Sequence, residues 1–305
     1  MNSSISTQMK LPNFLIIGVQ KAGTSSIYNY LKQHPQVYMS PVKETNFFER
    51  DWENADAEAR DRKKNGIYTF AQYSQLFDNV TDEIAIGEAS PNYLFHYEAS
   101  ASLIQNYLPE VKLIAILRNP IERAYSDYLM HVRDSIGKPK PFAEHIQKAN
   151  TSYTIRKGLY YDGLKHYIDK FGGDRVRVYL YEDLDRDSVQ FMQDIYRFLG
   201  VDAKFNTDTS KKSQVAQVPK NQAVNRLLRT ENPLRSMAAS ALKVLVPPET
   251  RQNLRSALMN FNSQDKSKLT LSTEERKQLA TIYREDILKL QELIQRDLSS
   301  WMKSF

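Results

Sequence analysis

A lysine set inside a loop of small residues is where chemistry first gathers in this 305-residue chain. The segment reads Phe14-Leu15-Ile16-Ile17-Gly18-Val19, then Gln20-Lys21-Ala22-Gly23-Thr24-Ser25-Ser26. An unbroken apolar run without polar alternation predicts a strand buried on both faces of a parallel sheet. Ile27, Tyr30 and Leu31 follow at helical spacing. Strand, small polar loop and helix together aim backbone N–H groups and the positive end of a helix at an anion. Gly18 and Gly23 keep the G-x-x-x-x-G spacing of a nucleotide phosphate loop, but Thr24 stands where that motif carries its lysine. The plainer alternative is an ordinary turn between strand and helix.

A second cation sits in the same kind of place. Lys112-Leu113-Ile114-Ala115-Ile116-Leu117 predicts another buried strand, and it runs into Arg118-Asn119-Pro120. Pro120 suits the first turn of a helix, expected to run to about Arg133. In doubly wound sheets ligands bind at the carboxyl ends of strands. Lys21 and Arg118 therefore describe an anion site with two lobes. Nucleotide triphosphatases place an aspartate after such a strand to hold Mg²⁺. Here the strand ends in Arg118, so the expectation is a polyanion neutralised by protein cations, with no metal. A third candidate is Glu44, in Lys43-Glu44-Thr45-Asn46-Phe47-Phe48: either a general base or a solvated carboxylate beside a packing pair.

The elements that must position these residues can be read along the chain. Short strands are expected at Val37–Met39, 84–87 and 175–180, and helices at 99–107, 158–171 and 188–199, the last closed by Gly200. Strands alternating with helices imply a parallel sheet. The predicted fold is α/β and P-loop-like, three layers with a central parallel sheet flanked by helices and a helical C-terminal region over about 220–305. One domain is expected over 11–305, behind a disordered leader, 1–10. Residues 51–65 are densely charged and read as exposed. Residues 202–222 are polar and carry Lys211, Lys212 and Lys220. They form a floppy loop or a basic lid over an anionic ligand, and composition favours the loop. Ser272 or Thr273 should cap a long final helix, with Glu274 and Glu275 in its first turn.

Composition bounds the rest. The chain is 41% hydrophobic and 26% charged, ordinary for a globular protein. It has no cysteine, which removes disulfides, Cys-based zinc sites and a thiol nucleophile. The net charge of +6 suits an anionic ligand. No basic helix or aromatic signature points to nucleic acid. No signal peptide or membrane-length apolar run is seen, so a cytoplasmic location is expected.

At this point the residues resemble a family: sulfotransferases that use 3′-phosphoadenosine-5′-phosphosulfate (PAPS), nearest the branch of heparan sulfate sulfotransferases and many bacterial relatives. The resemblance runs motif by motif over about 12–200. It implies that Gly18–Ser26 is the 5′-phosphosulfate loop, with Lys21 on the bridging and sulfuryl oxygens and Ala22, Gly23, Thr24, Ser25 and Ser26 around the 5′-phosphate. It implies that Arg118 and Ser126 hold the 3′-phosphate, and that Glu44 is the catalytic base. The product would be adenosine 3′,5′-bisphosphate. His131, at i+4 from Asp127 on one helix, is the second candidate base. Two departures stand out. Ala89 replaces the relatives' lysine ahead of Ser90-Pro91, and the relatives' Lys-Gly-Arg lid is not spelled out, with Lys211, Lys212 and Lys220 as loose candidates for it. The acceptor is a hydroxyl: on a saccharide, on a lipid or polyketide held by a carrier, or on a small metabolite. A P-loop kinase and a non-catalytic nucleotide-binding relative are the rival readings.

Overall fold

The structure, a computed structural model, describes residues 9–62, 66–134, 139–210, 217–219, 263–265 and 270–303. The strands are β1 (Phe14–Gly18), β2 (Val37–Met39), β3 (Ala85–Ala89), β4 (Lys112–Leu117), β5 (Val176–Leu180), β6 (Gln217–Pro219) and β7 (Ser263–Asp265). The helices are α1 (Thr24–Leu31), α2 (Ala57–Arg62), α3 (Phe70–Ser74), α4 (Tyr97–Tyr107), α5 (Pro120–Asp134), α6 (Phe142–Gln147), α7 (Tyr153–Arg156), α8 (Tyr161–Phe171), α9 (Tyr181–Arg186), α10 (Ser188–Leu199) and α11 (Thr273–Ile294).

The chain divides into two compact units, each discontinuous in sequence. The first is Met1–Arg123, Lys157–Gln214 and Tyr283–Met302; the second is Ala124–Arg156, Val215–Ile282 and Lys303–Phe305. The first unit holds the five-stranded sheet, in the order β2-β3-β1-β4-β5. All of its pairings are parallel. Every residue of β1 is buried, as a central strand covered on both faces requires. Its neighbours pair it in register, Ile16 with Ala89 on one side and with Ile114 on the other. The carboxyl ends of β1, β3 and β4 thus lie side by side, and the sequence predicts a parallel sheet with the ends of β1 and β4 at one site.

Local signals explain most boundaries. Asn119 caps α5: its Oδ1 accepts the Ile121 N–H at 3.0 Å, with Pro120 first in the helix. Gly200, with φ 81°, ends α10. Ser272 and Glu275 close the expected capping box on α11, each accepting the other's backbone N–H.

Three expectations need correction. Residues 263–265, inside the stretch read as helical, form β7, antiparallel to β6 in the second unit. Asn, Ser and Asp, three of the four residue types at 262–265, are poor helix formers. Lys10, assigned to a disordered leader, is tied down, its amine donating to the Val80 carbonyl at 2.8 Å. The charged stretch 51–65 contains α2 and a buried Trp52, whose carbonyl accepts from the Arg60 guanidinium at 2.8 Å. Among the described residues no helix is long and apolar enough to cross a membrane.

Candidate active site

The loop after β1 is built from backbone geometry. Lys21 has φ 74° and Gly23 φ 82°, both left-handed. Only glycine adopts that conformation without cost, so Lys21 is held there by its surroundings. A Cβ on Gly23 would lie 3.0 Å from Leu184 Cδ2 and 3.2 Å from the Tyr181 ring. The Ala22 N–H closes a tight turn onto the Val19 carbonyl at 3.2 Å. Gly23 is the residue before α1, and no side chain caps that helix. Its leading backbone amides and its positive end thus face the loop side. Thr24 and Ser26 are buried in its first turn.

Arg118 reaches this loop from the end of β4. Its Nη1 donates to the Lys21 carbonyl at 2.8 Å, and its guanidinium lies 4.7 Å from the centre of the Tyr181 ring. The Arg118 carbonyl accepts the Tyr160 hydroxyl at 2.9 Å. Burial pushes the Tyr160 phenol far above its ordinary value, so it keeps the proton that it donates. Asp286, on α11, accepts the N–H groups of Tyr160 and Tyr161 at 2.9 and 3.1 Å. Burial raises the Asp286 carboxyl to about 6, against the pull of those two N–H groups. A continuous chain of contacts thus runs from α11 through Tyr160 and Arg118 to Lys21.

Lys157 was not singled out by sequence. Its Nζ donates to Gln20 Oε1 at 2.8 Å and to Asn92 Oδ1 at 3.0 Å, so it bridges the β1 loop to the turn after β3. With Val19, Leu94, Phe95 and Tyr160 it lines a small pocket. No local signal marks it, because its partners lie far away in sequence.

Glu44 lies in the segment that crosses the end of β3, its N–H donating to the Ala89 carbonyl at 2.9 Å. It too is left-handed, with φ 64°. Its carboxylate accepts from Lys43 Nζ at 2.9 Å and remains partly exposed. The next aromatics anchor the segment: Phe47 stacks on Tyr73 with ring centres 4.8 Å apart, and Phe48 meets the edge of the same ring at 5.0 Å. Among the described residues only Lys21, Glu44, Asn46 and Gln295 combine a side chain with positive φ. Two of these are the residues singled out for chemistry. Glu88, buried in β3, was not singled out, although a lone carboxylate in the apolar run Ile84–Ala89 was a signal.

Ser126 and His131 belong to the second unit, in the part of α5 beyond Arg123. Ser126 is buried. His131 is mostly exposed, and its Nδ1 donates to the Asp127 carbonyl at 2.8 Å, so the expected pairing within the helix is formed mainly through the backbone. Lys211, Lys212 and Lys220 lie outside the described residues. In the first unit, then, Lys21 and Arg118 are joined directly, and Glu44 stands at the end of the strand next to β1.

Backbone amides and cations gathered at the end of a parallel sheet are the means by which P-loop-like group-transfer folds take hold of an anionic donor. The class narrows to one family. The profile of the sulfotransferase domain matches residues 11–287, and the chain belongs to that family. A crystal structure of a sulfotransferase from Alicyclobacillus acidocaldarius is 30% identical, with TM-score 0.69, covering 96% of this chain and 100% of that one. The chain is 27% identical over 209 residues to the human bifunctional heparan sulfate N-deacetylase/N-sulfotransferase 3, spanning 65% of this chain and 23% of that protein. It is 30% identical over 167 residues to the human heparan sulfate glucosamine 3-O-sulfotransferase 6, spanning 53% and 44%. The chain therefore spans less than half the length of these two human relatives.

Proposed function

We propose that the chain transfers a sulfuryl group from PAPS to a hydroxyl of a saccharide. The observation that carries this is Lys21, held left-handed in mid-loop ahead of the uncapped N-terminus of α1, with Arg118 bonded to its carbonyl. Family membership and the saccharide substrates in the relatives' names support the donor and the acceptor class.

The donor, when bound, supplies an activated sulfuryl group. Lys21 and backbone and hydroxyl groups of Gly23, Thr24, Ser25 and Ser26 hold its 5′-phosphosulfate end, and Ala22 lets the loop close tightly beneath it. Arg118 and Ser126 hold the 3′-phosphate. Glu44 takes the proton of the acceptor hydroxyl as that oxygen bonds to sulfur. Lys21 and the α1 N-terminus stabilise the charge left on the 5′-phosphate as the bond from sulfur to the bridging oxygen breaks. A base of this kind is worth about 10²–10⁴-fold. His131 is the second candidate for it, and the scheme uses no metal.

Calorimetry with adenosine 3′,5′-bisphosphate tests the donor site. Arg118→Met should weaken binding at least about tenfold, since it removes a charged group in contact with the loop. Unchanged binding in both Arg118→Met and Lys21→Ala, or no binding by wild type, defeats the donor assignment. Labelled PAPS offered with a panel of saccharide, lipid and small-molecule alcohols then tests the acceptor.

A further inference from the structure

Glu88 has no exposed surface. Its carboxylate accepts three hydroxyl hydrogen bonds: Tyr93 at 2.8 Å on Oε1, and Ser90 at 2.8 Å and Thr45 at 3.1 Å on Oε2. Each of these hydroxyl oxygens also accepts a backbone N–H from the segment carrying Glu44. Ser90 Oγ takes Asn46 N–H at 3.0 Å, Thr45 Oγ1 takes Phe47 N–H at 3.3 Å, and the Tyr93 oxygen takes Phe48 N–H at 3.2 Å.

A hydroxyl has a single hydrogen to donate and two lone pairs. Turned toward Glu88, that hydrogen leaves the lone pairs for the amide. One acceptor-only carboxylate thus orients three hydroxyls, and three consecutive amides follow. Burial, then the Glu88 charge, push the Tyr93 phenol well above its ordinary value, so it stays protonated and donates. The amides so held begin two residues after Glu44, at φ 64°, and include Asn46, at φ 48°. Such backbone persists only where the surroundings over-determine it.

We propose that Glu88 is the positioning residue of this site. Through Thr45, Ser90 and Tyr93 it locks residues 44–48, so that the Glu44 carboxylate meets the acceptor hydroxyl in one orientation. This rests on the reading of Glu44 as base. Glu88 itself, fully buried, acts through the loop.

Glu88→Gln tests it. The amide keeps the shape but donates where the carboxylate accepted, so at least one hydroxyl must reverse. The expected result is a fall in kcat of at least about tenfold, with acceptor KM and bisphosphate affinity within about twofold. Hydrogen exchange at the amides of 46–48 should quicken by at least about tenfold. Glu44→Gln with Glu88→Gln should be no slower than Glu44→Gln alone, because both act through one group. Unchanged kcat and exchange in Glu88→Gln overturns the proposal, and so does a double variant slower by the product of the two effects. Faster exchange and lower kcat in Glu88→Gln, beside full activity in Glu44→Gln, upholds the lock and overturns Glu44 as base. If Glu88→Gln does not fold, Ser90→Ala and Tyr93→Phe each cut one link. Faster exchange confined to Asn46 or Phe48 respectively supports the proposal, and no local change overturns it.

Discussion

The loops that follow β1 and β2 both set a reactive side chain on left-handed backbone, Lys21 at φ 74° and Glu44 at φ 64°, yet they are held in opposite ways. After β1 the backbone is the proposed ligand-binding surface. No side chain caps α1, and the tight turn is closed by a short local bond and by Arg118 on a carbonyl. After β2 the backbone is the anchor. The N–H groups of Glu44, Asn46, Phe47 and Phe48 are all bonded, to the Ala89 carbonyl and to the hydroxyls of Ser90, Thr45 and Tyr93. In the proposed mechanism the first loop offers its amides to an anion, and the second ties its own down so that a side chain can act as reagent. On that proposal preorganisation serves charge stabilisation in one and proton transfer in the other.

The largest expected effect breaks or confirms the first half of that contrast. Lys21→Ala should slow sulfuryl transfer by about 10²–10³-fold, the range found when one preorganised stabiliser of developing charge is removed. Single-turnover transfer from labelled PAPS reads this, and a loss below about tenfold would leave the loop's amides as the sole stabiliser. Next, Glu44→Gln should lower turnover by about a hundredfold or more while leaving bisphosphate affinity unchanged. An equal loss of affinity in calorimetry would mean that both loops serve the donor, and the contrast would fail.

The smallest effect concerns the support behind the first loop. Burial holds the Asp286 carboxyl at about 6, above its ordinary 3.8. The folded state therefore binds this proton more tightly than the unfolded chain does. The stabilisation is complete below about pH 4 and disappears as pH rises through about 6; its full size is on the order of a few kcal/mol. Asp286→Asn abolishes it. Melting curves of wild type and variant between pH 7 and 4.5 should show wild type gaining on Asp286→Asn as pH falls, and parallel curves would remove Asp286 from the account.

Much of the fold could be read from local pattern. β4 falls on the predicted Lys112–Leu117 and α10 on Ser188–Leu199, because apolar runs, Gly200 and the spacing of buried residues are properties of neighbouring residues. The same holds for Lys21 and Arg118, each marked by standing where a buried strand gives way to a helix. What could not be read depends on distant partners. The three hydroxyls on Glu88 come from Thr45, Ser90 and Tyr93, and Lys157 meets Gln20 across more than a hundred residues. No periodicity links such positions. The pairing of β6 with β7 was missed for the same reason, since three polar residues carry too little pattern to outweigh the helices expected around them.

The line of contacts from Asp286 to Lys21 also bears on when the protein becomes competent during its own synthesis. Domains form as the chain emerges from the ribosome, N-terminal parts first. Here the loop at 18–23 leaves the exit tunnel early, but Arg118, Tyr160 and finally Asp286 must follow before its carbonyl is fully braced. A nascent chain halted short of residue 286 would carry every residue of the donor loop and still lack the last brace behind it. The proposed grip on a donor should thus be complete only late in translation.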